Sequence, residues 1–173
     1  MPPIRRAIFL SGLAAILVQP LTTPAPVAAQ TAAGKTEIFD FENATVGIMP
    51  SRFTAALTGG GNPIKWTIVE DATSPSGAKV LTEISADVTD FRFPLAILDS
   101  IQARDVELRV RFKAVAGQID QAAGLVARLK DKDNYYTVRA NALEDNIGLY
   151  KVVGGPPHSI RRRRIPGAAG ALA

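Results

Sequence analysis

The chain has no cysteine and a single histidine, His158, among its 173 residues. Without cysteine there are no disulfide staples and no thiolate metal ligands, so a domain of this size must hold together through its core. With one imidazole, neither a Ser-His-Asp hydrolase nor a zinc site built on several histidines is available. Trp66 is the only tryptophan. Long apolar runs are missing too: the longest, from Ala7 to Val18, falls well short of the roughly 20 residues that span a bilayer core. No segment carries a long amphipathic helical pattern, and no internal repeat is present.

That apolar run follows Arg5 and Arg6 and is broken by Pro20, Pro24 and Pro26. A basic start, a short apolar stretch and the small residues Val27-Ala28-Ala29 make a cleavable signal peptide over 1–29, with cleavage after Ala29. The expected destination is the periplasm or the extracellular space, with no transmembrane anchor after cleavage.

The formal charge of +4 and the pI near 9.6 invite a polyanion reading. Their sources argue against it. Arg5 and Arg6 leave with the signal and Arg161 to Arg164 form one run in the tail, so 14 basic residues face 16 acidic ones in the rest. A nucleic-acid binder needs a basic face spread over the fold, and nucleic acid is therefore not expected as a partner.

From about residue 37 to 155 the hydrophobic pattern has period two. The clearest alternation is 106–113, where Val106, Leu108, Val110 and Phe112 point one way and Glu107, Arg109, Arg111 and Lys113 the other. Further strands are expected at 37–42, 64–70, 78–84, 91–98, 122–129, 134–141 and 147–153, each closed by Gly, Asp, Asn or Pro. Strands at that spacing predict an all-β, antiparallel sandwich after a linker at 30–36. Turns at 131–133 and 143–145 join the last three into a meander.

On the strand 134–141, Tyr135, Thr137, Arg139 and Asn141 share one face. Such a face on a curved sheet can hydrogen-bond sugar hydroxyls while the ring stacks on a pyranose. It is equally what an outer sheet face uses for cross-strand pairing. With Arg128 on the neighbouring strand, Tyr135, Arg139 and Asn141 are the candidate ligand-binding residues. Trp66 and Tyr150 are further rings, although single aromatics in strands more often belong to the core. Asp131, Asp133 and Asn134 are oxygen donors of the kind calcium takes, and a hairpin turn accounts for the same residues. No metal ligand and no cofactor is assigned.

The run from Gly124 to Gly154, GLVARLKDKDNYYTVRANALEDNIGLYKVVG, resembles secreted bacterial domains of the concanavalin A-like lectin/glucanase superfamily, above all the 3-keto-disaccharide hydrolase-type (family 16 glycoside hydrolase-like) domains. The Phe39-Asp40-Phe41-Glu42 opening and the segment around Val106 are in keeping with it. The resemblance implies a jelly-roll sandwich whose concave face meets carbohydrate. Glycoside cleavage needs two carboxyls flanking one bond at about 5 to 10 Å. Family 16 glucanases carry theirs as Glu-x-Asp-x-Glu on one strand, and no such triplet occurs here. No catalytic residue is therefore assigned.

After Gly155 the alternation stops, and 156–173 is expected to be a disordered tail. A frameshift is the other account. With one choice of synonymous codons, removing a single base after Gly155 turns the tail into RRTAFAGAEFPVPPGRW, which alternates again and ends in a Pro-Gly-x-Trp turn. On that account the sandwich lacks its last strands. Three functions stand: a carbohydrate-binding module, a glycoside-acting hydrolase with carboxylates from separate strands or from the missing C-terminal part, and an envelope interaction domain without a sugar ligand.

Overall fold

A computed structural model describes residues 34–99 and 101–166. The signal peptide at 1–29 and most of the 30–36 linker lie outside them. The strands of the described residues fall in the unit that begins at Ile38. The described residues form eight: β1 (Phe53–Gly59), β2 (Trp66–Glu70), β3 (Lys79–Glu83), β4 (Arg92–Leu98), β5 (Ala122–Asp131), β6 (Asn134–Asn141), β7 (Asn146–Val153) and β8 (Pro157–Arg164). The described residues are all-β, as the period-two pattern requires, and every pairing is antiparallel. They form a β1-β4 ribbon, a β2-β3 ribbon and a four-stranded meander in the order β5-β6-β7-β8.

Five expected strands, β2 to β4, β6 and β7, form within a residue or two of their expected limits, and β5 runs on to Asp131 through an irregularity between Ala127 and Asp131. Three expectations fail. The segment 37–42 forms no strand, because Phe41 takes a φ of 62° that breaks an extended run and Glu42 turns to hold Lys79. The segment 106–113, for all its alternation, has no ladder partner among the described residues. Alternation reports which way side chains point and cannot supply a neighbour.

The tail is the third. Of the 156–173 expected to be disordered, 167–173 lie outside the described residues, and Pro157–Arg164 is a strand, paired along β7 from Val152↔Pro157 to Asn146↔Arg164. Gly154 and Gly155, with φ of 66° and 112°, make the reversal that brings it back, a conformation glycine adopts at little cost. The open edge of β7 supplies backbone partners that need no hydrophobic pattern. As the outer strand, β8 carries Arg161 to Arg164 and Pro157, the charged and proline-bearing character that keeps a sheet edge from pairing further. β1 was not expected at all: its Ala-Ala-Leu-Thr-Gly stretch alternates weakly, and it forms because β4 pairs with it from Phe53↔Leu98 to Gly59↔Arg92.

The core lies between the β1-β4 ribbon and one face of the meander. Leu95 of β4, Tyr135 of β6 and Val152 of β7 are buried together, with Ala56, Ile97, Val126 and Leu129 packed around them. Each large side chain so placed contributes about 1.5–3 kcal/mol. Thr58 of β1 locks the two layers, because its Oγ1 donates to the Lys132 carbonyl in the β5-β6 turn and lies 3.1 Å from the Tyr135 hydroxyl. Around β2, the Ile68 amide donates to the Ile48 carbonyl and its carbonyl accepts from Gly47, so 47–48 flanks that ribbon. No helix among the described residues is long and apolar enough to cross a membrane.

Candidate functional site

The meander places the four candidate residues in different environments. Tyr135 is 3% exposed, its ring in the core and its hydroxyl beside Thr58. Burial pushes its phenol above the usual range, with the Thr58 bond acting against it. Asn141 is fully buried. Its Oδ1 accepts from the Gln121 and Leu143 amides and its Nδ2 donates to Asp120 at 2.5 Å, so it fastens the β5 entry to the β6-β7 turn. Arg128 is exposed at the β5 irregularity, with φ of 54°, and donates to the Arg104 carbonyl. The expected polar face is thus divided. Its Tyr135 end faces the β1-β4 ribbon, Asn141 is buried, and Arg139 keeps a side chain that is 17% exposed. The reason is the layer above: alternation identified the shared face but not which part of it the ribbon covers.

Around Arg139 a connected set of polar side chains has formed. Its Nη1 meets Asp120 Oδ2 at 3.2 Å and its Nη2 meets Glu144 Oε2 at 3.4 Å, so two carboxylates from two loops grip one guanidinium. Asn146 Nδ2 donates to the same Glu144 oxygen at 2.8 Å. That bond first, and then the Arg139 and Arg162 charges, hold the Glu144 carboxyl below its ordinary range. Tyr150 lies between the guanidinium groups of Arg139 and Arg162, 5.6 and 6.0 Å from its ring centre, within cation–π reach. Its hydroxyl accepts from Arg162 Nε at 3.3 Å. Arg139 Nε and Asn146 Oδ1 are buried with no hydrogen-bond partner among the described residues.

Register explains why the set gathers here. Gly124, Arg139, Gly148 and Arg162 stand opposite one another across β5, β6, β7 and β8. Only glycine fits at position 124, where a Cβ would sit 1.9 Å from the Val138 carbonyl oxygen, and at Gly148 a Cβ would sit 2.5 Å from the Tyr150 ring and force it to shift. The ring therefore lies down over Gly148, and Arg139 rests beside it. Sequence reasoning found Arg139 but passed over Asp120, Glu144, Asn146 and Arg162. The signal in the sequence is a carboxylate just before β5 and another in the β6-β7 turn, and Arg162 is hidden because its segment reads as a disordered tail.

The remaining candidates are structural. Tyr150 is 6% exposed and presents no open ring face. Trp66 is half-buried, with its indole nitrogen buried and unpartnered among the described residues. Asp131 Oδ1 accepts from the Asp133 amide and the Asn134 side chain, the bonds of a hairpin turn, and these hold its carboxyl below the usual range. No cluster of three or more His, Cys, Asp or Glu among the described residues has metal-holding geometry. No protein-family model, curated protein or solved structure matches the chain.

Proposed function

We propose that the chain is an exported carbohydrate-binding module of jelly-roll, concanavalin A-like architecture, taking glycan on the open part of the meander's polar face. One observation carries the reading: Arg139 is held between Asp120 and Glu144 on a sheet face, with Asn146 and Arg162 beside it. Donors and acceptors alternate over a short distance there. A sugar's neighbouring hydroxyls, each both donor and acceptor, match such an array, and convergent polar groups fixed by one another lose little freedom on binding. The resemblance of the Gly124 to Gly154 run to sugar-handling domains points the same way.

Binding is favoured over hydrolysis by what the carboxylates already do. Asp120 uses both oxygens as acceptors, from Arg139 and Asn141, and Glu144 is held ionised. A glycosidase needs one of its pair to deliver a proton to the leaving oxygen. The test is a glycan array on the full chain followed by calorimetric titration of the best ligand. The expected result is a defined oligosaccharide preference that Arg139→Ala weakens about tenfold or more, as removal of a charge-assisted contact should. A folded chain that binds nothing on the array overturns the proposal, and so does Arg139→Ala that binds as the parent does. Release of sugar from a bound glycan would establish the hydrolase alternative instead.

A further inference from the structure

The segment 106–113 has the pattern of a strand and none of the pairing. Val106, Leu108 and Val110 are 51%, 42% and 51% exposed. No backbone hydrogen bond from 105–112 reaches another described residue. The segment carries an ion pair of its own. Arg109 Nη2 meets Glu107 Oε1 at 2.6 Å, a contact between residues two apart that an extended backbone places on one side. Its ends are tied: the Arg104 carbonyl accepts from Arg128 at 2.6 Å, and Lys113 Nζ reaches Thr73 Oγ1 at 2.7 Å and Asp71 Oδ2 at 3.3 Å. A bare, extended strand with one apolar face is a template for adding another strand.

The charges specify which strand. Along the polar side the order is Asp105, Glu107, Arg109, Arg111, acidic first and basic after. We propose that this segment is a homodimer contact, two copies pairing antiparallel about a two-fold axis through Leu108. In that register Asp105 faces Arg111 and Glu107 faces Arg109, each twice by symmetry. On the other side Val106 faces Val110, Leu108 faces Leu108 and Arg104 faces the Phe112 ring. Sliding by two residues either way sets Glu107 against Glu107 or Arg109 against Arg109 at the axis, where like charges oppose pairing. The sequence is thus self-complementary in one register and frustrated in its neighbours. A two-stranded contact of this size is weak by itself, so a reversible, concentration-dependent dimer is the expected form.

Charge reversal tests both the contact and its register. Sedimentation velocity on the full chain should show a dimer that grows with concentration and weakens with added salt. Glu107→Arg alone places Arg opposite Arg, and Arg109→Glu alone places Glu opposite Glu. Each should lower self-association roughly tenfold or more. The two variants mixed restore Arg opposite Glu at both positions, and the mixture should associate to within about threefold of the parent. A parent chain that stays monomeric overturns the proposal, including one whose 106–113 amides are protected because the segment has paired with the edge of β5. So do single variants that associate like the parent, and a mixture no stronger than its components. Circular dichroism of each variant separates these outcomes from misfolding.

Discussion

Tyr135 shows how a residue chosen as a ligand platform can be a core residue with one polar atom. Its ring packs with Leu95 and Val152, and its hydroxyl needs Thr58 because a buried phenol without a partner is costly. Tyr135→Phe should therefore lower stability by about 1 kcal/mol, read by urea denaturation, and leave glycan affinity unchanged. A loss of glycan binding by a folded Tyr135→Phe would return the hydroxyl to the binding face. Arg139 is the contrasting case, since its guanidinium is shared with side chains from two loops and its removal should act on binding.

Asp87 is the residue from which a pH response is expected. Its carboxylate accepts from the Thr89 side chain, the Asn62 amide and the Thr89 amide, and these hold it well below its ordinary 3.8, with the Arg92 charge adding to them. A carboxyl whose folded value is depressed binds its proton more readily in the unfolded chain. The stability it contributes is full above about pH 5 and falls as pH drops through the ordinary value toward the folded one. Melting temperature measured from pH 7 down to pH 2.5 should decline across that window. Asp87→Asn should start lower and decline less steeply, and parallel curves for the two proteins would contradict the assignment.

Among the elements, the meander was the most legible in sequence and for a local reason. β6 and β7 alternate, and in the turns at 131–133 and 142–145 the Asp131 and Asn141 side chains accept from the Asp133 and Leu143 amides, so each hairpin is specified by adjacent residues. β8 and β1 were not legible because each exists through its partner: β7's edge organises a run of arginines, and β4 organises a stretch of small residues. The segment 106–113 failed the other way, since a sound pattern found no partner within the described residues. The candidate site divided along the same line. Arg139 was readable from strand periodicity. Glu144, Asp120 and Arg162 converge on it only through register, which a single strand does not contain. That dependence can be tested at Gly148, where an added methyl would enter the Tyr150 ring at 2.5 Å. Gly148→Ala should cost about 1–3 kcal/mol as overpacking. It should also weaken glycan binding by displacing Tyr150 from between Arg139 and Arg162. Unchanged stability would mean that the ring is free to move aside.

For the molecule as a whole, the two faces of the meander are unequal. One takes the β1-β4 ribbon and the polar network. On the other, Tyr136 and Val138 of β6 and Leu149 and Val153 of β7 all stand exposed, with Val138 and Leu149 directly opposite each other. Apolar neighbours on a shared face form a patch that water meets poorly, and such patches drive association or aggregation. Replacing Val138 and Leu149 together by Thr keeps the β-branched or strand-compatible shape while adding hydroxyls that solvent can satisfy. If the face is bare in solution, the double variant should unfold within about 1 kcal/mol of the parent, because exposed substitutions move stability little. It should also bind less of a hydrophobic dye such as ANS and aggregate more slowly on heating. A loss well above about 2 kcal/mol would mean that these side chains are buried in the working protein, since only buried sites respond on that scale to added polar groups. Unfolding curves and dye binding measured on the same samples therefore distinguish a meander that works with one face open from one that is covered in solution.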